Sequence, residues 1–133
     1  MTAISDLHTL LAAMEPQLNP GVFVFATVAS LAQVDPDSVV AMIRESEGLS
    51  VVMTEADALR QEIACDFRSA WITLNVNSAL EAVGLTAAFA HTLGEAQISC
   101  NVIAGNYHDH IFVPVDSADA ALAALRSLQT ASI

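Results

Sequence analysis

The stretch FVPVDSADAAL, residues 112–122, has a counterpart earlier in the chain, VVMTEADAL at 51–59. Each reads as the end of an apolar strand, then a residue able to cap a helix, then Ala-Asp-Ala and a leucine. A strand that turns straight into a capped helix is one half of a layered α/β unit, and its recurrence points to two related units. The flanking sequence follows the same scheme in both halves, which divides the chain into 1–64 and 65–133.

In the first half, SDLHTLLAAM (5–14) has Ser5 as a candidate cap and apolar residues at helical spacing. Asn19-Pro20-Gly21 predicts a turn before a strand GVFVFATV (21–28). Asp35-Pro36-Asp37 predicts a helix running to Glu47 and stopped by Gly48, followed by a strand at 49–53 and a helix from Thr54 to Ile63. In the second half, strands are predicted at 68–76, 98–104 and 110–115. Helices are predicted at 84–95 and at 117–128, the last capped by Asp116 or Ser117. In 68–76 the aliphatic residues Ala70, Ile72, Leu74 and Val76 alternate with Ser69, Trp71, Thr73 and Asn75. A period of two separates these sets onto opposite faces. Val22, Val24 and Ala26 alternate with Phe23, Phe25 and Thr27 in the same way. The expected fold class is α+β, with helices on one face of antiparallel sheets.

Composition narrows the function. The chain has 133 residues, of which 54% are hydrophobic, and a formal net charge of −11. Such a charge repels phosphate backbones and argues against nucleic acid and anionic membrane partners. The apolar runs are shorter than the roughly 20 residues of a membrane span, and MTAISDLHTLL lacks the basic start of a signal peptide. A cytoplasmic location is expected. The high mean hydropathy of +0.53 hints at a surface covered by a second subunit, most simply in a homodimer. Cys65 and Cys100 have no CxxC spacing and read as buried thiols, while Met14 and Met42 read as core residues.

Sites for chemistry are few. His108-Asp109-His110 offers two imidazoles, whereas a catalytic zinc takes about three protein ligands and a structural one about four. The other histidines, His8 and His91, lie in separate predicted helices, so no metal is expected. Lysine is absent from the sequence, which excludes a Schiff base or a phosphate-loop lysine, and no nucleophile elbow or GxGxxG is present. No catalytic residue and no cofactor is assigned. The remaining candidate is NVNSALEAVGLTAAFA (75–90), where a strand passes through a polar loop to Gly84 at a helix start. Backbone N–H groups there suit a carboxylate. With Asn101 on an adjacent strand and Asp109 on the hairpin, the segment makes a cradle for an amino acid, Asp109 meeting the ammonium group. A packing glycine explains Gly84 equally well.

The run VNSALEAVGLTAAFAHTLGEAQISCNVIAGNYHDHIFVPVDSADAALAAL (76–125) resembles an ACT domain. The matching features are the Gly84-Leu85 helix entry, the LGEAQIS turn from helix to strand, and the DHIFVP strand before the final helix. The resemblance is strong over 68–125 and weaker over 1–64, where the unit is degenerate. It extends to small bacterial proteins of two ACT-like units and to ACT units in aspartokinases and animal cytosolic arginine sensors. It implies a tandem ferredoxin-like βαββαβ fold and regulatory binding of an amino acid. By motif position it implies Val83, Gly84 and Leu85 as backbone contributors, with Asn101 and Asp109 as side-chain contributors. Two features depart from the family: no catalytic domain is expected beside the units, and no strand is predicted after 117–128, so the units are expected to complete each other's sheets. Two rivals remain at this level. One is an interaction module using the Trp71 and Phe112 face, and the other is a small metalloprotein or enzyme built on His108, Asp109 and His110.

Overall fold

A computed structural model describes residues 6–132. In chain order the elements are α1 (Leu7–Ala13), β1 (Pro16–Val28), β2 (Val39–Glu45), β3 (Gly48–Thr54), α2 (Glu55–Arg60), β4 (Asp66–Leu74), α3 (Leu85–Glu95), β5 (Asn101–Ala104), β6 (Asp109–Pro114) and α4 (Ala118–Ala131), with single 3-10 turns at 31–33, 36–38 and 115–117. The strand order is β2-β3-β1-β4-β6-β5. The chain divides into two compact units, residues 20–69 and residues 1–19 with 70–133. Strands β1 and β4 each run through both.

In the unit of residues 20–69, β1 pairs antiparallel with β3 from Phe23↔Thr54 to Val28↔Leu49, and β3 pairs antiparallel with β2. Val24, Ala26 and Val28 from β1 join Leu49, Val51 and Met53 from β3 in a core that Ala58 of α2 closes. The Thr54 side chain accepts from the Asp57 N–H at 3.1 Å and caps α2 as expected.

In the other unit, β4 ends at Leu74 rather than residue 76, and its even positions from Ala70 on are sealed. Ala70, Ile72 and Leu74, with Val76 just beyond the strand, pack with Ile111 and Val113 of β6 under Leu10 of α1 and its C-cap Met14, Phe89 and Leu93 of α3, and Leu125 of α4. The expected aliphatic face is therefore the helix-covered one. No strand follows α4 among the described residues. The β4 edge is taken instead by residues 16–19, where the Asn75 N–H donates to the Glu15 carbonyl at 2.9 Å and Asn75 Nδ2 donates to Gln17 Oε1 at 2.7 Å. A segment from the first half of the sequence completes the second-half sheet.

Several expectations are corrected. Residues 35–47 are not a helix. Asp35 caps only the short 3-10 turn, its carboxylate accepting from the Asp37 N–H at 3.1 Å, and Val39 and Val40 open an edge strand. Gly48 is then a hairpin residue at φ +146, where a Cβ would stand 2.9 Å from the Val28 carbonyl oxygen. No turn forms at 19–21 either. Asn19 Nδ2 donates to the Trp71 carbonyl at 3.2 Å and to Thr73 Oγ1 at 2.9 Å, so the side chain that would stabilise a turn ties β1 to β4.

The helix after Thr54 stops at Arg60 rather than Ile63. Glu62 takes φ +55, with its N–H on the Leu59 carbonyl at 3.2 Å and the Ile63 N–H on the Ala58 carbonyl at 2.9 Å. This is a Schellman stop without the usual glycine. Strand β5 begins at Asn101 rather than residue 98. Neither Asp116 nor Ser117 caps α4 with its side chain, the chain entering through a 3-10 turn instead. Ser5 lies outside the described residues, and the α1 cap is Asp6, which accepts from the Thr9 N–H at 2.9 Å. Met14 is buried, but Met42 on the edge strand is 46% exposed, and both cysteines are only partly buried.

Candidate functional site

Helix α3 begins without a side-chain cap. Its N-cap is Gly84 at φ +99, a backbone conformation that side-chain-bearing residues seldom adopt. A Cβ there would come within 2.9 Å of Leu7 Cδ2, so the glycine also admits α1. No acidic residue stands in the first turn. The first-turn N–H groups carry the positive end of the helix dipole, and no side chain at the N-cap neutralises it.

Beside this entry is a hollow of about 100 Å³ lined by Ser78, Ala79, Leu80, Ala82, Leu85, Thr86, Ala104 and Asp109. Asp109 reaches it through the hairpin register. Ala104 pairs with Asp109 across β5 and β6, and both lie on the face that carries Ile111 and Val113 towards the helices. Burial raises the Asp109 carboxyl pKa above its ordinary value, while His110 and His108 pull it the other way. A partly desolvated carboxyl thus shares a small hollow with an uncapped helix start.

The five residues singled out from the sequence are not all brought together. Leu85 and Asp109 line the hollow, Gly84 sets the entry, and Val83 is 83% exposed beside it. Asn101 goes elsewhere. It pairs with Phe112, three positions from the Ala104–Asp109 pair, which is about 10 Å along a strand. Three is an odd number, so its side chain is on the opposite face, where Asn101 Nδ2 donates to the Phe112 carbonyl at 3.3 Å.

That opposite face also holds His110. His110 Nδ1 accepts from Trp71 Nε1 at 3.0 Å and stands 3.1 Å from Thr73 Oγ1, and Trp71 stacks on Phe112 with centroids 6.0 Å apart. His108 Nδ1 is 3.3 Å from the Val76 carbonyl. Among the described residues no group of three or more His, Cys, Asp or Glu is placed to hold a metal ion. Thr73 and Ser78 were not assigned a role from the sequence, although Thr73 stands beside Trp71 in the alternating strand and Ser78 belongs to the polar loop, Asn77-Ser78, that leads to Gly84.

An ACT domain profile matches residues 2–70, more than half of the chain, and a second ACT domain profile matches residues 66–127. The chain belongs to the ACT domain family. A crystal structure of a protein of unknown function from Vibrio cholerae, described as a possible transport protein, is 43% identical, with a TM-score of 0.81 over 92% of this chain and 95% of that one. The ligand-free regulatory subunit of aspartate kinase from Thermus thermophilus is 11% identical, with a TM-score of 0.64 over 87% of this chain and 97% of that one. Aspartokinase alpha and beta subunits give 12% identity and a TM-score of 0.70 over 87% and 97%. No curated protein matches the sequence. The α+β architecture is the tandem ferredoxin-like ACT fold of aspartokinase regulatory domains. Among the described residues, no helix is long and apolar enough to cross a membrane.

Proposed function

We propose that this ACT protein is a non-enzymatic, cytoplasmic regulator that binds a free amino acid at the α3 entry, with Val83, Gly84 and Leu85 contributing backbone and Asp109 its carboxylate. The observation that carries the reading is the pairing of an uncapped helix N-terminus with a half-buried Asp109 in one hollow. The two groups have opposite polarity and suit the two ends of a zwitterion: first-turn N–H groups take the carboxylate, and Asp109 takes the ammonium. A bound ammonium group also offsets the desolvation that raises the Asp109 pKa. Membership of the ACT family supports a regulatory role for a small ligand. Asn101, on the far sheet face, is outside this cradle, and the division into units at 64/65 belongs to the same proposal.

Self-association is part of the reading. Leu80 at 69% exposure, Val83 at 83% and Tyr107 at 65% flank the entry, and such apolar surface fits a second copy of the chain. The interaction-module alternative read from the sequence used the Trp71 and Phe112 face; Phe112 is buried, so Leu80, Val83 and Tyr107 offer such a module its exposed apolar surface instead.

The test is a thermal-shift screen of the untagged protein against the common amino acids. A ligand at about 100 times its Kd adds roughly 2.7 kcal/mol and moves the melt by several degrees. An unchanged melt with every amino acid at millimolar concentration sinks the proposal and favours the interaction module.

A further inference from the structure

A second hollow, of about 440 Å³, adjoins the first along Ser78, Ala79 and Leu80, and its other walls are Asn77, Glu81, Asn106 and Tyr107. Asn77 is the unusual member. It is 9% exposed, yet its carboxamide makes no hydrogen bond to any described residue. No side-chain nitrogen or oxygen among the described residues is both sealed from the surface and unpartnered. The little surface that Asn77 keeps therefore includes its polar tip, and Asn77 is one of the residues that wall the second hollow. Buried amides are ordinarily paired, because an unmet donor or acceptor carries a desolvation cost.

From this geometry we infer that Asn77 reads the side chain of the bound amino acid and selects a neutral carboxamide, as in glutamine or asparagine. The inference rests on the proposed head-group site at the α3 entry. An Asn tip presents one acceptor oxygen and an NH₂ donor. A ligand carboxamide answers both at once, its NH₂ donating to Asn77 Oδ1 and its oxygen accepting from Asn77 Nδ2. A carboxylate side chain can only accept, leaves Oδ1 unmet, and meets the Glu81 carboxylate on the same wall. An ammonium side chain can only donate and leaves Nδ2 unmet. An apolar side chain of the same shape leaves both unmet, and sites built to hydrogen-bond reject such analogues strongly.

Calorimetry of the full chain with glutamine, asparagine, methionine, leucine and glutamate tests this, in the wild type, Asn77→Leu and Asn77→Asp. Wild type is expected to bind glutamine or asparagine at least about tenfold more tightly than methionine, leucine or glutamate. Asn77→Leu keeps the size and is expected to abolish that preference while methionine or leucine still binds. Asn77→Asp is the control should the leucine variant fold poorly, and it is expected to lower the preference through loss of the donors. If wild type binds methionine or leucine as tightly as the amides, or if the variants keep the preference, this inference falls and the head-group site stands. If wild type binds no amino acid at all, both fall together.

Discussion

The indole N–H of Trp71 donates to Nδ1 of His110 at 3.0 Å. An indole nitrogen can only donate, so this contact holds the imidazole in the form that keeps its proton on Nε2. Thr73 Oγ1, 3.1 Å from the same nitrogen, accepts from Asn19 Nδ2 and so has its own hydrogen to give His110. Two donors converge on one lone pair, and a proton added to Nδ1 sets donor against donor.

That arrangement makes a pH prediction. Burial holds the His110 pKa below its ordinary value of 6.5, His108 lowers it further, and Asp109 opposes them. Trp71 and Thr73 from β4 contact the ring, and Ile103 of β5 stands opposite His110 in the ladder; none of the three ionises. With a depressed folded pKa, the unfolded chain binds the proton first. His110's contribution is then full above about pH 6.5 and is lost as pH falls from there through the folded value. The protein has one tryptophan, so Trp71 emission reports the event. Emission is expected to change as pH falls below about 6.5 in wild type and to stay flat over that window in His110→Gln, which keeps an acceptor. The same titration in both proteins would remove His110 as the cause.

Asp109→Asn separates stability from binding. A half-buried carboxyl whose pKa is raised by burial costs stability in its charged form. The ligand-free melt of the variant at neutral pH is therefore expected to equal or slightly exceed that of wild type. Affinity for the amino acid is expected to drop about tenfold to a hundredfold, since a charge-assisted bond contributes roughly 1.5–3 kcal/mol. A clear fall in the ligand-free melt would instead assign Asp109 a structural role.

Gly84→Ala is expected to cost about 1–2 kcal/mol through its φ of +99, with the Leu7 side chain yielding at its flexible end. Denaturant titration measures the loss. A neutral outcome would mean that the helix entry relaxes to an ordinary cap.

The α3 stop predicts a gain. Gln97 has φ +60, its N–H bonds the Gly94 carbonyl at 2.9 Å, and the Ile98 N–H bonds the Leu93 carbonyl at 2.9 Å. Glycine suits this position in a Schellman motif, so Gln97→Gly is expected to stabilise by about 0.5–1 kcal/mol. A lower denaturation midpoint would contradict this.

His108 and His110 are engaged with the Val76 carbonyl and with Trp71 and Thr73. Untagged protein is expected to carry well under one equivalent of zinc, nickel or iron by elemental analysis. A stoichiometric metal surviving dialysis would revive the metalloprotein reading.

The sequence by itself determined the parts governed by local periodicity. Alternation over 68–76 named the sealed set Ala70, Ile72, Leu74 and Val76, the Thr54 cap was visible, and Gly84 marked the start of α3. Tertiary structure decided what local signals leave open. Asp35-Pro36 and Gly48 look like the two ends of a helix, but pairing with β3 pulls 39–45 into a strand, since ladder bonds and side-chain packing outweigh a weak helical preference. Asn19-Pro20-Gly21 looks like a turn until Asn19 finds Trp71 and Thr73 more than 50 residues away. The cradle divides in the same way. Asp109 and the helix entry meet because β5 and β6 pair in a register that places Ala104 opposite Asp109. That register also sends Asn101 to the other face, and a one-residue step in a strand reverses every side chain. No local pattern encodes that choice, because it is made where two strands meet.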